Sequence, residues 1–128
     1  MKSKLLLLVG VLTFFISCGL EDTGKSDCFI DVEDTLDSWQ KTYNYQMTNA
    51  KDNDGNTQSL EACLIRKGLT EEYIQSLKSR QSWMNSNGGC TRDEKNTLNS
   101  RINKRIQELE EDMENIWNRC EDVYGSGG

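Results

Sequence analysis

Apolar residues recur at steps of three and four positions along most of this chain, which restricts it to an all-helical fold. The clearest run has steps of 4, 4, 3, 4, 3, 4 and 3 through Leu98, Ile102, Ile106, Leu109, Met113, Ile116, Cys120 and Val123. Such a heptad seam is typical of helices that pack like coiled coils. The chain also contains no proline, so no residue in it forces a helix to stop.

The first half of the chain is predicted to hold a long helix, a turn and a short helix. The long helix is expected from Cys28 to Ala50, because its apolar residues keep the helical step and carboxylates crowd its first turns. Residues 51–56 combine Asn, Asp and Gly, which predicts a turn. A short helix is then expected from about Thr57 to Lys67.

Cap residues predict where the remaining helices begin and end. Gly68 suits the left-handed C-cap that ends a helix, and Thr70 is a suitable N-cap for the next one. The last helix begins at a capping box, with Thr91 at the N-cap and Glu94 three residues later. The sequence therefore predicts a small bundle of three to four helices with a long, coiled-coil-like C-terminal helix.

The N-terminus has the features of an export signal. Lys2 and Lys4 precede an apolar run over 5–16 that is too short to cross a membrane, which needs about 20 residues. The segment Phe15-Ile16-Ser17-Cys18 then resembles the lipobox of bacterial lipoproteins, in which a small residue precedes an acylated cysteine. The resemblance covers residues 1–18 only. It implies that Cys18 carries lipid and becomes the N-terminus of the mature protein.

This resemblance predicts four segments. Residues 1–17 are the signal peptide, 18–27 a lipidated polar tether, 28–124 the helical domain and 125–128 a flexible Gly-Ser tail. The protein is expected in the cell envelope, held to a membrane by its lipid. In lipoproteins of diderm bacteria an aspartate after the lipidated cysteine commonly retains them at the inner membrane. Gly19 stands there instead, which favours the outer membrane if the source is diderm.

Four cysteines remain for the mature domain: Cys28, Cys63, Cys90 and Cys120. An even number in an exported domain predicts disulfides, with three possible pairings. If the first and last helices are antiparallel, the pairing Cys28–Cys120 with Cys63–Cys90 is favoured. The chain contains no histidine and no C-x-x-C pair, so a zinc site is not expected.

The residue types argue against catalysis and against binding of nucleic acid. Without histidine there is no Ser-His-Asp triad, and oxidised cysteines are not nucleophiles. No enzymatic activity and no cofactor are therefore expected. After the signal peptide, the chain has 13 Lys and Arg residues and 21 Asp and Glu residues. This acidic balance disfavours nucleic acid and anionic lipid surfaces as partners.

Two further patterns have a functional and a structural interpretation. Asp52, Asp54 and Asn56 match the first three ligand positions of an EF-hand calcium loop. The later glycine and glutamate of that loop are missing, and an interhelical turn explains the same residues better. Separately, three tryptophans, Trp39, Trp83 and Trp117, are compatible with a sugar-binding surface. Their places on or beside apolar stripes favour roles as core anchors.

Two functional hypotheses follow from these patterns. The first is a non-enzymatic protein-binding module of the inhibitor, immunity or exclusion type, whose acidic surface suits a basic partner. The alternative is a structural or assembly lipoprotein that self-associates through the heptad seam. The sequence leaves the partner and the oligomeric state open.

Overall fold

The computed structural model describes residues 24–87 and 89–125, which form a bundle of three long helices. Helix α1 spans Asp27–Asn49, α2 spans Leu60–Asn87 and α3 spans Arg92–Asn115. A 3₁₀ turn, Trp117–Arg119, and a short helix α4, Cys120–Tyr124, continue α3 after a bend. This confirms the all-α prediction, including its long C-terminal helix. The predicted signal peptide, Cys18 and residues 126–128 lie outside the described residues.

One helix, α2, replaces the two that were predicted around Gly68. It runs through Gly68 without a break, and the predicted N-cap Thr70 is fully buried inside it. The Thr70 hydroxyl donates to the carbonyl oxygen of Arg66 at 2.8 Å and accepts from the hydroxyl of Tyr43, on α1, at 2.9 Å. A glycine inside a helix costs only about 1 kcal/mol relative to alanine, so core packing of this kind outweighs it.

The continuous α2 sets the direction of every helix and overturns the predicted disulfides. Short connections make neighbouring helices antiparallel, so α1 and α3, on either side of α2 in sequence, run in the same direction. Cys28 therefore bonds to Cys90 and Cys63 to Cys120, with Cα–Cα distances of 5.0 and 5.7 Å. The predicted pairing, Cys28–Cys120 with Cys63–Cys90, was wrong because it assumed that the first and last helices are antiparallel.

The heptad seam of α3 is used inside the bundle. Its first four members, Leu98, Ile102, Ile106 and Leu109, are buried in the core shared with α1 and α2. Near the middle of α1 and α2 the core contains a pair of tyrosines, Tyr43 and Tyr73, whose ring centroids lie 4.7 Å apart. The seam is therefore not free over these positions to join a second copy of the chain.

A single carboxylate links the starts of α1 and α3. Glu94 forms the predicted capping box with Thr91, accepting the Thr91 N–H at 2.8 Å. It also accepts the N–H of Ser26 at 2.9 Å and its hydroxyl at 2.7 Å, while Ser26 caps α1 by accepting the Phe29 N–H at 3.1 Å. These backbone hydrogen bonds lower the pKa of Glu94 to about 2 from its usual 4.5.

Candidate functional site

The two ends of the bundle differ in how they connect to the rest of the chain. We call the end that contains Cys28–Cys90 the tether end, because the predicted tether joins α1 there. The opposite end, closed by Cys63–Cys120, is the far end. The 23 residues of α1 separate the two by about 35 Å at 1.5 Å per residue.

Exposed apolar side chains are concentrated at the far end. Among the described residues eight large apolar side chains are exposed, and five of them lie within four positions of Cys63 or Cys120. They are Leu64, Ile65, Ile116, Val123 and Tyr124, and Val123 is the most exposed of the five at 62%. Soluble domains rarely leave several large apolar residues exposed in one region without a binding role.

The bend after α3 explains why two of these residues are exposed. Ile116 and Val123 continue the heptad seam in sequence, so they were predicted to be packed. The α-helix ends at Asn115. Beyond it Ile116 is 47% exposed, whereas Cys120 is buried at its disulfide. The sequence hardly indicates that the helix bends after Asn115. Residues 116–123 keep the apolar steps of the seam, and only the disulfide cysteine Cys120 distinguishes them from the residues before.

Carboxylates flank the exposed apolar residues. Glu114, Glu121 and Asp122 are exposed, and none of them forms an ion pair within the described residues. Arg119 is the basic residue among them in sequence. Arg66 and Lys67 lie equally close to Cys63, so the far end combines exposed apolar side chains with cations and with carboxylates that form no ion pair within the described residues.

The loop before α2 also lies at the far end, and Arg66 holds it in place. The Arg66 guanidinium donates to the carbonyl oxygens of Met47 at 3.1 Å, Ala50 at 3.1 Å and Thr57 at 2.7 Å. The first two oxygens belong to the end of α1, where helical carbonyls lack partners. One side chain thus fixes both the end of α1 and the connection to α2.

The proposed calcium ligands form the turn that was predicted as their alternative role. The Asp52 carboxylate accepts the N–H of Asp54 at 2.9 Å and of Asn56 at 2.8 Å, with Gly55 left-handed at φ 86°. The Asn56 hydrogen bond is the main cause of the lowered pKa of Asp52. Within residues 24–87 and 89–125 no group of three His, Cys, Asp or Glu residues is arranged to hold a metal.

The three tryptophans do not form one surface. Trp39 packs partly buried against the core, as predicted for a core anchor. Trp83 is 42% exposed on α2, where the Arg80 guanidinium lies over its ring at 4.2 Å from the centroid. Trp117 lies in the 3₁₀ turn at the far end, and its buried indole N–H has no acceptor in the described part of the chain.

Comparisons with protein-family models, with curated proteins and with solved structures found no match to this chain. No helix of the described residues is long and apolar enough to span a bilayer. The function is therefore inferred from the residues of the chain itself. The far end is the main candidate for a functional surface, because its exposed apolar side chains are not explained by packing in the core.

Proposed function

We propose that this chain is a bacterial envelope lipoprotein, anchored through Cys18, that binds a protein partner with its far end. It acts without catalysis, and in a diderm source it resides at the outer membrane. The observation that carries the proposal is the concentration of exposed apolar residues at the end of the bundle opposite the tether.

The position of the far end suits a protein that is anchored at its other end. A lipid on Cys18 places the membrane next to the tether end, and the polar segment 19–27 gives slack between the two. The bundle then holds its exposed apolar residues about 35 Å further out. The two disulfides fix both ends of the helices, so the surface is presented in one arrangement.

The charges at the far end indicate what kind of partner fits. Exposed apolar residues that are flanked by unpaired carboxylates match a protein with an apolar patch inside a basic rim. Opposite charges on the two surfaces accelerate their encounter, and salt screens this attraction. Binding is therefore expected to weaken as the ionic strength rises.

Site-specific photocrosslinking in envelope preparations tests the proposal. A benzoylphenylalanine in place of Val123 is expected to capture one defined protein, and the additional substitution Ile116→Glu is expected to abolish that capture. Ile30 provides the matched control, because it is also an exposed isoleucine, 42% accessible, but lies at the tether end.

The outcomes separate the two hypotheses. A partner captured from position 123 and not from position 30 supports the proposal, provided that the purified partner binds with the expected salt dependence. A crosslink between two copies of the chain supports the self-association hypothesis instead. Equal capture from both positions, or none from either, contradicts a specific surface at the far end.

A further inference from the structure

A shallow groove runs between α1 and α2 along one face of the bundle. Two adjoining hollows form it, and both are lined by Trp39, Glu72 and Ser76. The hollow nearer the tether end is also lined by Arg80 and Trp83 and has a volume of about 450 Å³. This hollow is broadly open, so a ligand in it keeps one side in water.

Two tryptophans line this groove at different levels. Trp39, on α1, is partly buried beside Ser76, whereas Trp83 is 42% exposed and lies seven positions beyond Ser76 on α2. At 1.5 Å per residue, this places the two tryptophans roughly 10 Å apart along the groove. The Arg80 guanidinium covers one face of the Trp83 ring, 4.2 Å from its centroid, and pairs with Asp31 on α1. This pairing holds the ring in place, and a ligand reaches it by the other face and the edges.

Polar side chains that are accessible line the groove between the two tryptophans. Glu72, Gln75 and Ser79 are exposed, and Ser76 is partly exposed. Among the described residues, the side-chain hydrogen bonds of α2 involve other residues of that helix. Glu72 also forms no ion pair with any described residue. Hydroxyl, amide and carboxylate groups therefore lie beside two indole rings without partners of their own.

We propose that this groove binds a neutral β-linked glycan, a chain of pyranose sugars with equatorial linkages. The C–H faces of such sugars are flat and apolar and stack on the large apolar surface of an indole ring. Their hydroxyl groups meanwhile exchange hydrogen bonds with carboxylate, amide and hydroxyl side chains. An apolar small molecule needs a pocket that encloses most of its surface, whereas a sugar chain binds in an open groove because its outer hydroxyls stay hydrated.

The charges in the groove favour a neutral chain. Arg80 is paired with Asp31, whereas the Glu72 carboxylate has no cation beside it. A carboxylate accepts strong, charge-assisted hydrogen bonds from sugar hydroxyls, but it repels an anionic polymer. The polar walls also distinguish this groove from the apolar grooves in which partner helices bind. Trp117 lies apart from the groove, at the far end.

NMR spectroscopy of the three indole N–H signals tests this site in the purified protein. Cellotetraose and N-acetylated chitotetraose serve as β-linked probes without and with acetamido groups. Maltotetraose, which has the composition of cellotetraose but a coiled, α-linked chain, serves as the control. With at least one β-linked probe we expect saturable shifts of the Trp39 and Trp83 signals and none of Trp117. Maltotetraose is expected to bind about tenfold more weakly, because its coiled chain does not lie flat along both tryptophans.

Two substitutions with matched controls locate the contacts, with affinities measured by calorimetry. Trp83→Ala is expected to weaken binding about tenfold and Glu72→Gln about fivefold, since a neutral acceptor forms weaker hydrogen bonds. Tyr45→Ala removes an aromatic residue that is 70% exposed on α1 but does not line the groove. Glu71→Gln removes the neighbouring exposed carboxylate, which also lies outside it. Both controls are expected to keep the wild-type affinity, and thermal melting shows whether each variant is folded.

Four results would overturn the proposal. They are the absence of saturable shifts at millimolar concentrations of both β-linked probes, shifts confined to Trp117, equal affinity for maltotetraose, and unchanged affinity in folded Trp83→Ala and Glu72→Gln. A polypeptide captured by benzoylphenylalanine in place of Ser79, without any response to the glycans, would assign the groove to a protein partner instead. The far-end crosslinking does not depend on these results, because no residue of the groove lies within four positions of Cys63 or Cys120.

Discussion

Replacing Gly68 with alanine is expected to stabilise the protein, because this glycine lies inside a continuous helix. A Cβ built at Gly68 meets nothing within 4 Å, and the position is exposed. Alanine there carries no steric cost and removes backbone freedom from the unfolded chain. The expected gain in the free energy of unfolding is about 0.8–1 kcal/mol, the difference in helix propensity between the two residues.

Gly55 provides the matched control of opposite sign. A Cβ at Gly55 also meets nothing within 4 Å, but the residue has φ +86°, which residues with a Cβ rarely adopt. Gly55→Ala is therefore expected to lose about 1 kcal/mol or more. The two substitutions are chemically identical and equally free of clashes, so their difference isolates the backbone conformation.

Urea denaturation with the disulfides intact, followed by circular dichroism, measures both variants. A change of about 1 kcal/mol in the free energy of unfolding typically shifts the melting temperature of a domain of this size by roughly 4–8 °C. The urea midpoint is expected to move in the same direction as the melting temperature. A Gly68→Ala variant that is less stable than the wild type would refute the continuous α2. It would instead favour the helix break that the sequence predicted.

Three further predictions concern contacts that hold the helices together. Thr70→Val leaves the buried hydroxyl of Tyr43 without its acceptor and is expected to cost about 1–3 kcal/mol in denaturation experiments; a neutral result would contradict the buried hydrogen bond. Glu94 has a lowered pKa of about 2, so its contribution to stability is complete above pH 4.5 and is lost as the pH falls towards 2. Acid titration of stability is expected to be flatter in Glu94→Gln, and parallel curves would contradict the shared cap. Peptide mapping without reduction is expected to yield the Cys28–Cys90 and Cys63–Cys120 peptides, and any other pairing would refute the up-down-up topology.

Local sequence patterns predicted much of this fold. The capping box at Thr91, the turn at 51–56 and the buried positions from Leu98 to Leu109 all depend on neighbours in sequence, and the structure has each of them. Such features are encoded by residue type and spacing within one or two helical turns.

The main error shows where local reasoning fails. Gly68 with Thr70 two positions later is an ordinary helix boundary in sequence. Only the contact of Thr70 with Tyr43, 27 positions earlier, shows that the helix continues. Because that one boundary was predicted wrongly, three further predictions were also wrong. They are the number of helices, the direction of the last helix relative to the first, and the disulfide partners of Cys28 and Cys63.

Acylation of Cys18 is the premise on which the proposed orientation of the bundle depends. Its direct test is metabolic labelling with a clickable palmitate analogue, comparing the wild type with Cys18→Ser. We expect label and a membrane location in the wild type, and neither label nor lipoprotein-type cleavage in the variant. The variant is expected to melt like the wild type, because both disulfides and the described core lie within residues 28–120. Equal labelling of both proteins would contradict the lipid anchor at Cys18.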